Sequence, residues 1–166
     1  MKLGLVPVAI AAVLLGGLVV SEAWATGETA TAALKFANGS DAGTIKLTET
    51  AAGVLLKLDL KGLKPGAHGC HVHEFGKCDG DFSSAGGIYN PLGAKHGFLN
   101  DEGPESGDLP NVVAAADGTA AAEILSPFLH LTKDTDDSLF DADGSSLVIY
   151  EKPDDYLSDP EGGAEP

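Results

Sequence analysis

Histidines are concentrated in one stretch of the sequence, where four of the five lie between positions 68 and 96. Residues 68–76 read His-Gly-Cys-His-Val-His-Glu-Phe-Gly, so His71 and His73 are two apart in an apolar, strand-like run. Because a strand sends residues i and i+2 to the same face, both imidazoles point the same way and can share one metal ion. The alternative is a pair of histidines on one strand face with no ion between them.

Period-two patterns on both sides of this stretch predict β-strands. We predict seven strands, over residues 29–36, 44–49, 54–60, 68–75, 111–115, 120–125 and 147–150. The first four follow one another through short turns and are predicted to pair as one antiparallel meander. Short strands separated by turn residues in this way are typical of an all-β fold, either a β-sandwich or a Greek-key barrel.

One long segment interrupts the strands. Residues 76–110 show little periodicity and are rich in glycine, aspartate and asparagine. Loops of this length in a compact domain are uncommon and are usually functional. We therefore predict that this segment is a metal-site loop, folded around an ion.

The beginning of the chain reads as a secretory signal over residues 1–25. Lys2 supplies a positive start, residues 8–20 are uncharged and apolar, and a small-x-small cleavage site ends at Ala25. We predict cleavage near Ala25 and a secreted or periplasmic protein. An uncleaved membrane anchor is the alternative, although the apolar run is short for a membrane span.

The chain is strongly acidic, with a formal net charge of −15 and no arginine among its ten basic residues. Such a charge argues against nucleic acids and anionic membranes as partners. The acidity continues into residues 153–166, which show no apolar pattern. We predict a domain over residues 26–152 that is followed by a flexible acidic tail.

The two cysteines, Cys70 and Cys78, are eight positions apart. Cysteines of a secreted protein tend to form disulfides, so these two can pair with each other. An extended strand leaving Cys70 carries the chain away from it, however, which favours two unpaired cysteines. Both alternatives stand at this point.

Several motifs occur in an order that is specific to one known family. They are residues 66–76, Ser84-Ala85-Gly86, Asn90-Pro91, Lys95-His96-Gly97, Gly107-Asp108-Leu109, and Asp141-Ala142-Asp143-Gly144 before the last strand. With the signal and the strands, they resemble the bacterial secreted branch of the copper/zinc superoxide dismutases over most of the mature chain. The resemblance implies an eight-stranded Greek-key barrel in which copper and zinc share a bridging histidinate. Copper in this family cycles between two oxidation states to dismute superoxide.

On the copper side of the family pattern, two ligand positions are kept and two are changed. His71 and His73 match two copper ligands, but the bridging histidine position holds Ile88 and the fourth position holds Tyr150. Isoleucine cannot bind metal. Tyr150 is either an oxygen ligand for copper or a packed strand tyrosine with a hydrogen-bonded hydroxyl. His68 matches a family histidine outside the ligand set that ties loops together by hydrogen bonds.

The zinc side of the pattern is more complete. His96 and Asp108 match two zinc ligands, and Glu105 stands where the family has the middle zinc histidine. One nitrogen and two carboxylates, with one position open, are an acceptable ligand set for zinc. The alternative is a loop of solvated acids that contains one histidine.

The resemblance also concerns the end of the chain. The family continues with a substrate-guiding arginine, a disulfide cysteine and an eighth strand, and the sequence reaches Pro166 before all three. Cys78 matches the loop cysteine of that disulfide and is expected to be unpaired. Sheet edges without a neighbouring strand are prone to association, so a homodimer or an edge-strand partner is expected.

Two functional hypotheses follow for this chain. The first is a secreted copper/zinc superoxide dismutase that converts superoxide to oxygen and hydrogen peroxide. The second is a catalytically degenerate protein of the same fold that binds zinc, copper or a partner without turnover. Ile88, Tyr150 and the absence of arginine favour slow turnover, while the motif order favours the family reaction.

Overall fold

Seven β-strands and one short 3-10 helix, Ser83–Ala85, make up the computed structural model, which describes residues 27–133, 137–160 and 162. The strands are β1 (Thr29–Lys35), β2 (Asp41–Thr50), β3 (Gly53–Leu60), β4 (Gly66–His73), β5 (Asp108–Ala114), β6 (Ala120–Ser126) and β7 (Ser146–Ile149). The predicted signal and its cleavage site lie outside the described residues. Within them, no helix is long and apolar enough to cross a membrane.

The strands form two antiparallel sheets, ordered β1-β2-β3-β6 and β5-β4-β7. The predicted all-β fold of about seven strands is therefore confirmed. The predicted four-strand meander is wrong at its last member, because β4 pairs with β5 and β7 while β6 takes the place beside β3. The six residues from His68 to the end of β4 are all buried. A strand covered on both faces in this way suits the middle of a sheet.

Apolar side chains between the two sheets form the core. In β3 the alternation predicted from the sequence places Val54, Leu56, Leu58 and Leu60 inside, all at most 3% exposed. The second sheet contributes Cys70 and Val72 of β4 and neighbouring side chains of β5 to the same cluster. Each large aliphatic side chain removed from water contributes about 1.5–3 kcal/mol to stability, so this core holds the sheets together.

In β4, successive side chains face alternately the core and the opposite side of the sheet, where the histidines lie. His71 and His73 point away from the core, yet they are only 0% and 6% exposed. The loop that follows β4 folds back over this face, and its residue Ile88 forms an isolated antiparallel bridge with His73. The predicted loop over residues 76–110 ends earlier than expected, because β5 begins at Asp108.

The two cysteines are both free, Cys70 in the core and Cys78 on the surface. The alternative that they pair with each other is therefore wrong. Burial raises the pKa of the Cys70 thiol to about 12, which keeps it neutral and unreactive at ordinary pH.

Residues 154–159, here called the strap, are not the flexible tail that their acidity predicted. Asp154 is 4% exposed, and its backbone N–H donates to the Asn111 side chain at 2.9 Å. Tyr156 and Asp159 make further hydrogen bonds with the backbone of the long loop. The strap is ordered because N–H groups donate hydrogen bonds to its carboxylates. A hydrophobic pattern in the sequence does not reveal such hydrogen bonds. The last four residues of the predicted tail lie outside the described part of the chain.

A groove of about 630 Å³ runs between β1 and β7, which are terminal strands of the two sheets. Apolar side chains dominate its walls, and the exposed Cys78 lies at its surface. The main apolar residues that line it are Leu34, Phe36, Leu63, Phe82, Leu147 and Ile149.

Candidate metal centre

Two buried carboxylate oxygens, one from the long loop and one from the start of β5, face a ring nitrogen of His96. Nδ1 of His96 lies 2.7 Å from Oδ1 of Asp108 and 3.9 Å from Oε2 of Glu105. None of the three has a hydrogen-bond partner among the described residues. The short contact between Nδ1 and Oδ1 lacks hydrogen-bond geometry, which is typical of ligand atoms aimed at a common point. Both carboxylates that the sequence singled out for zinc thus lie beside the His96 imidazole, at 3.9 Å for Glu105 and 2.7 Å for Asp108.

Each carboxylate in this cluster is held by its other oxygen. Oδ2 of Asp108 accepts hydrogen bonds from the backbone N–H groups of Gly97 at 2.8 Å and Glu105 at 2.9 Å. Oε1 of Glu105 accepts from the side-chain amide of Asn90 at 2.8 Å. One oxygen of each group is therefore anchored, and the other is left for a ligand, as in metal sites whose ligands are oriented by outer hydrogen bonds.

The two central imidazoles share one carboxylate, that of Asp154. Its Oδ2 lies 3.0 Å from Nε2 of His71, and its Oδ1 lies 3.1 Å from Nε2 of His96, with all three side chains fully buried. Because a carboxylate accepts, Nε2 of each ring carries the proton and Nδ1 is left as the ligand atom. Nδ1 of His71 is also buried without a partner.

Asp154 and the strap around it are the functional residues that the sequence reasoning missed. The backbone of Gly162, whose φ is +61°, lies close to the side chains of Asp154 and His96. A Cβ atom at that position would lie 1.7 Å from Oδ1 of Asp154 and 2.6 Å from Nε2 of His96. Only glycine leaves room for the shared carboxylate here.

The electrostatics of the cluster favour protons when no cation is present. Burial lowers the pKa of His96, but the nearby carboxylates of Asp108 and Asp154 outweigh it and raise that pKa to about 9. Burial and the neighbouring Asp108 raise the pKa of Glu105 to about 7. Burial lowers the pKa of His71, against the opposing effect of Asp154. A divalent ion bound here would displace these protons and compensate the charge of the buried carboxylates.

His73 and Tyr150, which the resemblance places at copper-ligand positions, hydrogen-bond each other. The Nδ1–H of His73 donates to the backbone oxygen of Gly86 at 3.0 Å, so its Nε2 accepts the hydrogen bond from the Tyr150 hydroxyl at 2.8 Å. Tyr150 is 4% exposed and Ile88 is 6% exposed. Of the two histidines matched to copper, His71 alone keeps an unpartnered ring nitrogen. This donor set does not fit copper as the family binds it.

His71 also stands close to the zinc cluster. One ligand atom from each of His71, His96 and Asp108 lies within 4.8 Å of the other two. The cluster found this way contains His71 in place of the predicted Glu105. Both sets share the same histidine and aspartate, which form the centre of the site.

His68 lies outside these ligand groups, in the loop-tying position that the resemblance implied. Its Nδ1 is 2.6 Å from the backbone oxygen of Tyr150, and its Nε2 is 2.7 Å from that of Lys64. The ring therefore joins the turn before β4 to the end of β7.

Comparisons with known proteins agree with this architecture. Residues 41–166 match the family described as copper/zinc superoxide dismutase (SODC). The Cu-Zn superoxide dismutase of Caulobacter vibrioides is 50% identical over 139 residues, which cover 82% of this chain and 80% of that protein. The superoxide dismutase-like protein YojM of Bacillus subtilis is 40% identical over 129 residues, which cover 76% and 66% of the two chains.

Solved structures show the same relationship. A superoxide dismutase-like protein from Bacillus subtilis superimposes with a TM-score of 0.78 at 37% identity, covering 81% of this chain and 91% of that one. The Cu/Zn superoxide dismutase from Brucella abortus superimposes with a TM-score of 0.63 at 32% identity, covering 82% and 95%. With these matches and the shared fold, the chain belongs to the copper/zinc superoxide dismutase family.

Proposed function

We propose that this protein binds one zinc ion at His96, Glu105 and Asp108, and that the ion stabilises the long loop. The observation that carries the proposal is that two buried, unpartnered carboxylate oxygens face a buried, unpartnered ring nitrogen of His96. Leaving such atoms buried without compensation is costly, so a cation is the natural completion of the cluster. Bound zinc would supply charge compensation and close the loop on β5.

We further propose that dismutation of superoxide, the family reaction, is slow in this chain. The hydrogen bond between Tyr150 and His73 and the apolar Ile88 support this proposal, because both stand where the family holds copper. Superoxide is an anion, and a net charge of −15 opposes its approach. Lys77 provides a local positive charge, while the Lys95 ammonium is paired with Asp159 at 3.0 Å, so slow turnover is expected rather than none.

The same proposal includes export and processing. Residues 1–25 form the signal, cleavage occurs near Ala25, and the mature domain functions in the periplasm or outside the cell. The apolar run after Lys2 and the small-x-small site support this part of the proposal. A disulfide at Cys78 is not part of it, since both cysteines are free.

For a partner, we propose a second copy of the chain at the groove between β1 and β7. Both strands end their sheets, so each has an edge able to hydrogen-bond an added extended segment. The apolar walls of the groove would bury alternate side chains of that segment. Together these features support a homodimer joined through sheet edges.

Zinc is expected to stabilise the protein through Asp108. With free zinc at about 100 times its dissociation constant, the gain is about 2.7 kcal/mol, or roughly 5–10 °C in Tm. Asp108→Asn, which keeps the side-chain shape, is expected to lose most of this zinc-dependent gain in thermal unfolding with zinc and with chelator. Asp101→Asn, an exposed acid of the same loop, is the matched control and keeps the gain. An equal gain in wild type and Asp108→Asn would rule out this site.

Zinc binding is expected to release protons. With pKa values of about 9 for His96 and 7 for Glu105, zinc at pH 7 displaces about one proton from the first and about half from the second. Apparent zinc affinity therefore rises between pH 6 and 8. Titration calorimetry in two buffers of different ionisation enthalpy measures the release, and Glu105→Gln removes its share. Binding without proton release would contradict the proposed ligands.

In the metal-free protein, stability is expected to change with pH in the opposite direction to zinc affinity. Both folded-state pKa values lie above the ordinary ones, so the contribution of His96 is present below pH 6.5 and is lost as pH rises through about 9. The stabilising contribution of Glu105 is present below pH 4.5 and is lost as the pH rises through about 7. In chelator, unfolding free energy attributable to these groups is expected to fall with rising pH.

Copper-loaded wild type is expected to dismute superoxide far more slowly than intact family members. The Ile88→His, Tyr150→His double variant restores two imidazoles and is expected to raise the rate of superoxide decay. Tyr150→Phe, which removes only the hydroxyl, is the matched control and is expected to give little gain. Wild-type turnover near the diffusion limit, roughly 10⁸–10⁹ M⁻¹s⁻¹ in kcat/KM, would refute the proposal of slow turnover.

Light scattering of the mature protein is expected to show a dimer. Leu34→Lys places a charge in the groove and is expected to shift the mass to that of a monomer. Leu125→Lys, on the exposed side of β6, is the control and leaves the dimer intact. A monomer at all accessible concentrations would exclude the homodimer.

A further inference from the structure

We propose that Asn111 is a positioning residue of the metal centre, acting through Asp154 on His71 and His96. The proposal extends the zinc site described above and rests on it only for the effect on metal affinity. Asn111 lies on β5, three positions after the ligand Asp108. It therefore connects the strand that carries one ligand to the strap that orients the two histidines.

The contact between Asn111 and the strap is a reciprocal pair. Nδ2 of Asn111 donates to the backbone oxygen of Asp154 at 2.9 Å, and the backbone N–H of Asp154 donates to Oδ1 of Asn111 at 2.9 Å. The backbone N–H of Asn111 also donates to the Tyr156 hydroxyl at 2.7 Å. One side-chain amide thus serves both backbone groups of Asp154, much as a neighbouring strand would.

This pair matters because the Asp154 carboxylate has two tasks at once. Each of its oxygens accepts from a different imidazole, at 3.0 Å to His71 and 3.1 Å to His96. Both hydrogen bonds are kept only if the backbone of Asp154 stays in place, and no strand of either sheet includes it. Asn111 supplies that fixed point, and the ring orientation of His96 then aims Nδ1 at the ligand cluster.

A role in positioning differs measurably from a role in packing. If Asn111 acts on the metal centre, its loss changes the imidazole hydrogen bonds and zinc affinity. If it merely holds the strap to β5, its loss lowers thermal stability and leaves the histidine signals and zinc affinity unchanged. Partners of metal ligands typically affect metal affinity by 10- to 100-fold, and a residue one step further out is expected to lie at the lower end, at about 10-fold.

The first experiment compares Asn111→Ala with wild type. Competition with a chromophoric chelator is expected to show zinc affinity about 10-fold weaker. In ¹⁵N-resolved spectra, the Nε2–H protons of His71 and His96 are expected to exchange faster with solvent. Asn111→Asp keeps an acceptor for the Asp154 N–H but loses the donor, so an intermediate result is expected. Asn38→Ala, in an exposed turn with a local partner at Ser40, is the matched control and changes neither readout.

A double-mutant cycle with Asp154→Ala tests whether Asn111 acts through that residue. In the Asp154→Ala background, Asn111→Ala is expected to weaken zinc binding by less than about 2-fold further, because the intermediary is already lost. Fully additive losses would overturn the proposal. So would an Asn111→Ala variant that unfolds at lower temperature with wild-type zinc affinity and wild-type Nε2–H exchange.

The two proposals fail separately. If the wild type binds no zinc, the proposed zinc function is wrong. The exchange of the Nε2–H protons in metal-free protein still tests Asn111, since the hydrogen bonds to Asp154 involve no metal. Unchanged exchange in metal-free Asn111→Ala and Asn111→Asp would overturn the positioning role whether or not zinc binds.

Discussion

The carboxylate shared by His71 and His96 is the constraint on which the site depends. One imidazole comes from the central strand of the smaller sheet, the other from the long loop, and Asp154 of the strap joins them at 3.0 and 3.1 Å. All three groups are out of contact with water, where an unpaired charge or polar group is costly. The strap, the loop and β4 therefore cannot move independently without exposing or isolating one of them.

Two different arrangements of side chains flank this shared carboxylate. On the side of His96, each ligand keeps one anchored atom and one open atom, so the geometry stays suited to a cation. On the side of His73, a tyrosine hydroxyl fills the place of a ligand with a hydrogen bond. Ile88, which forms a backbone bridge with His73, has an apolar side chain that cannot bind a metal ion.

Prediction from the sequence succeeded where side chains repeat along a strand or keep a motif order. The period-two pattern located all seven strands. The motifs located His96 and Asp108, and the family position located Glu105; both carboxylates lie beside the His96 ring. The pairing of strands was harder to predict, because the alternation of side chains within β4 does not show which strands lie beside it. The strap was missed because its one buried carboxylate, that of Asp154, belongs to no hydrophobic period. An aromatic residue within that acidic segment, Tyr156, was the available signal.

The hydrogen bond between Tyr150 and His73 has a consequence for how the protein matures. Membership of the copper/zinc superoxide dismutase family implies one position for copper and one for zinc. Here the Tyr150 hydroxyl donates a hydrogen bond of 2.8 Å to Nε2 of His73, and the resemblance assigns both residues to the copper side. Under the proposed function, assembly of this site would depend on the supply of zinc alone.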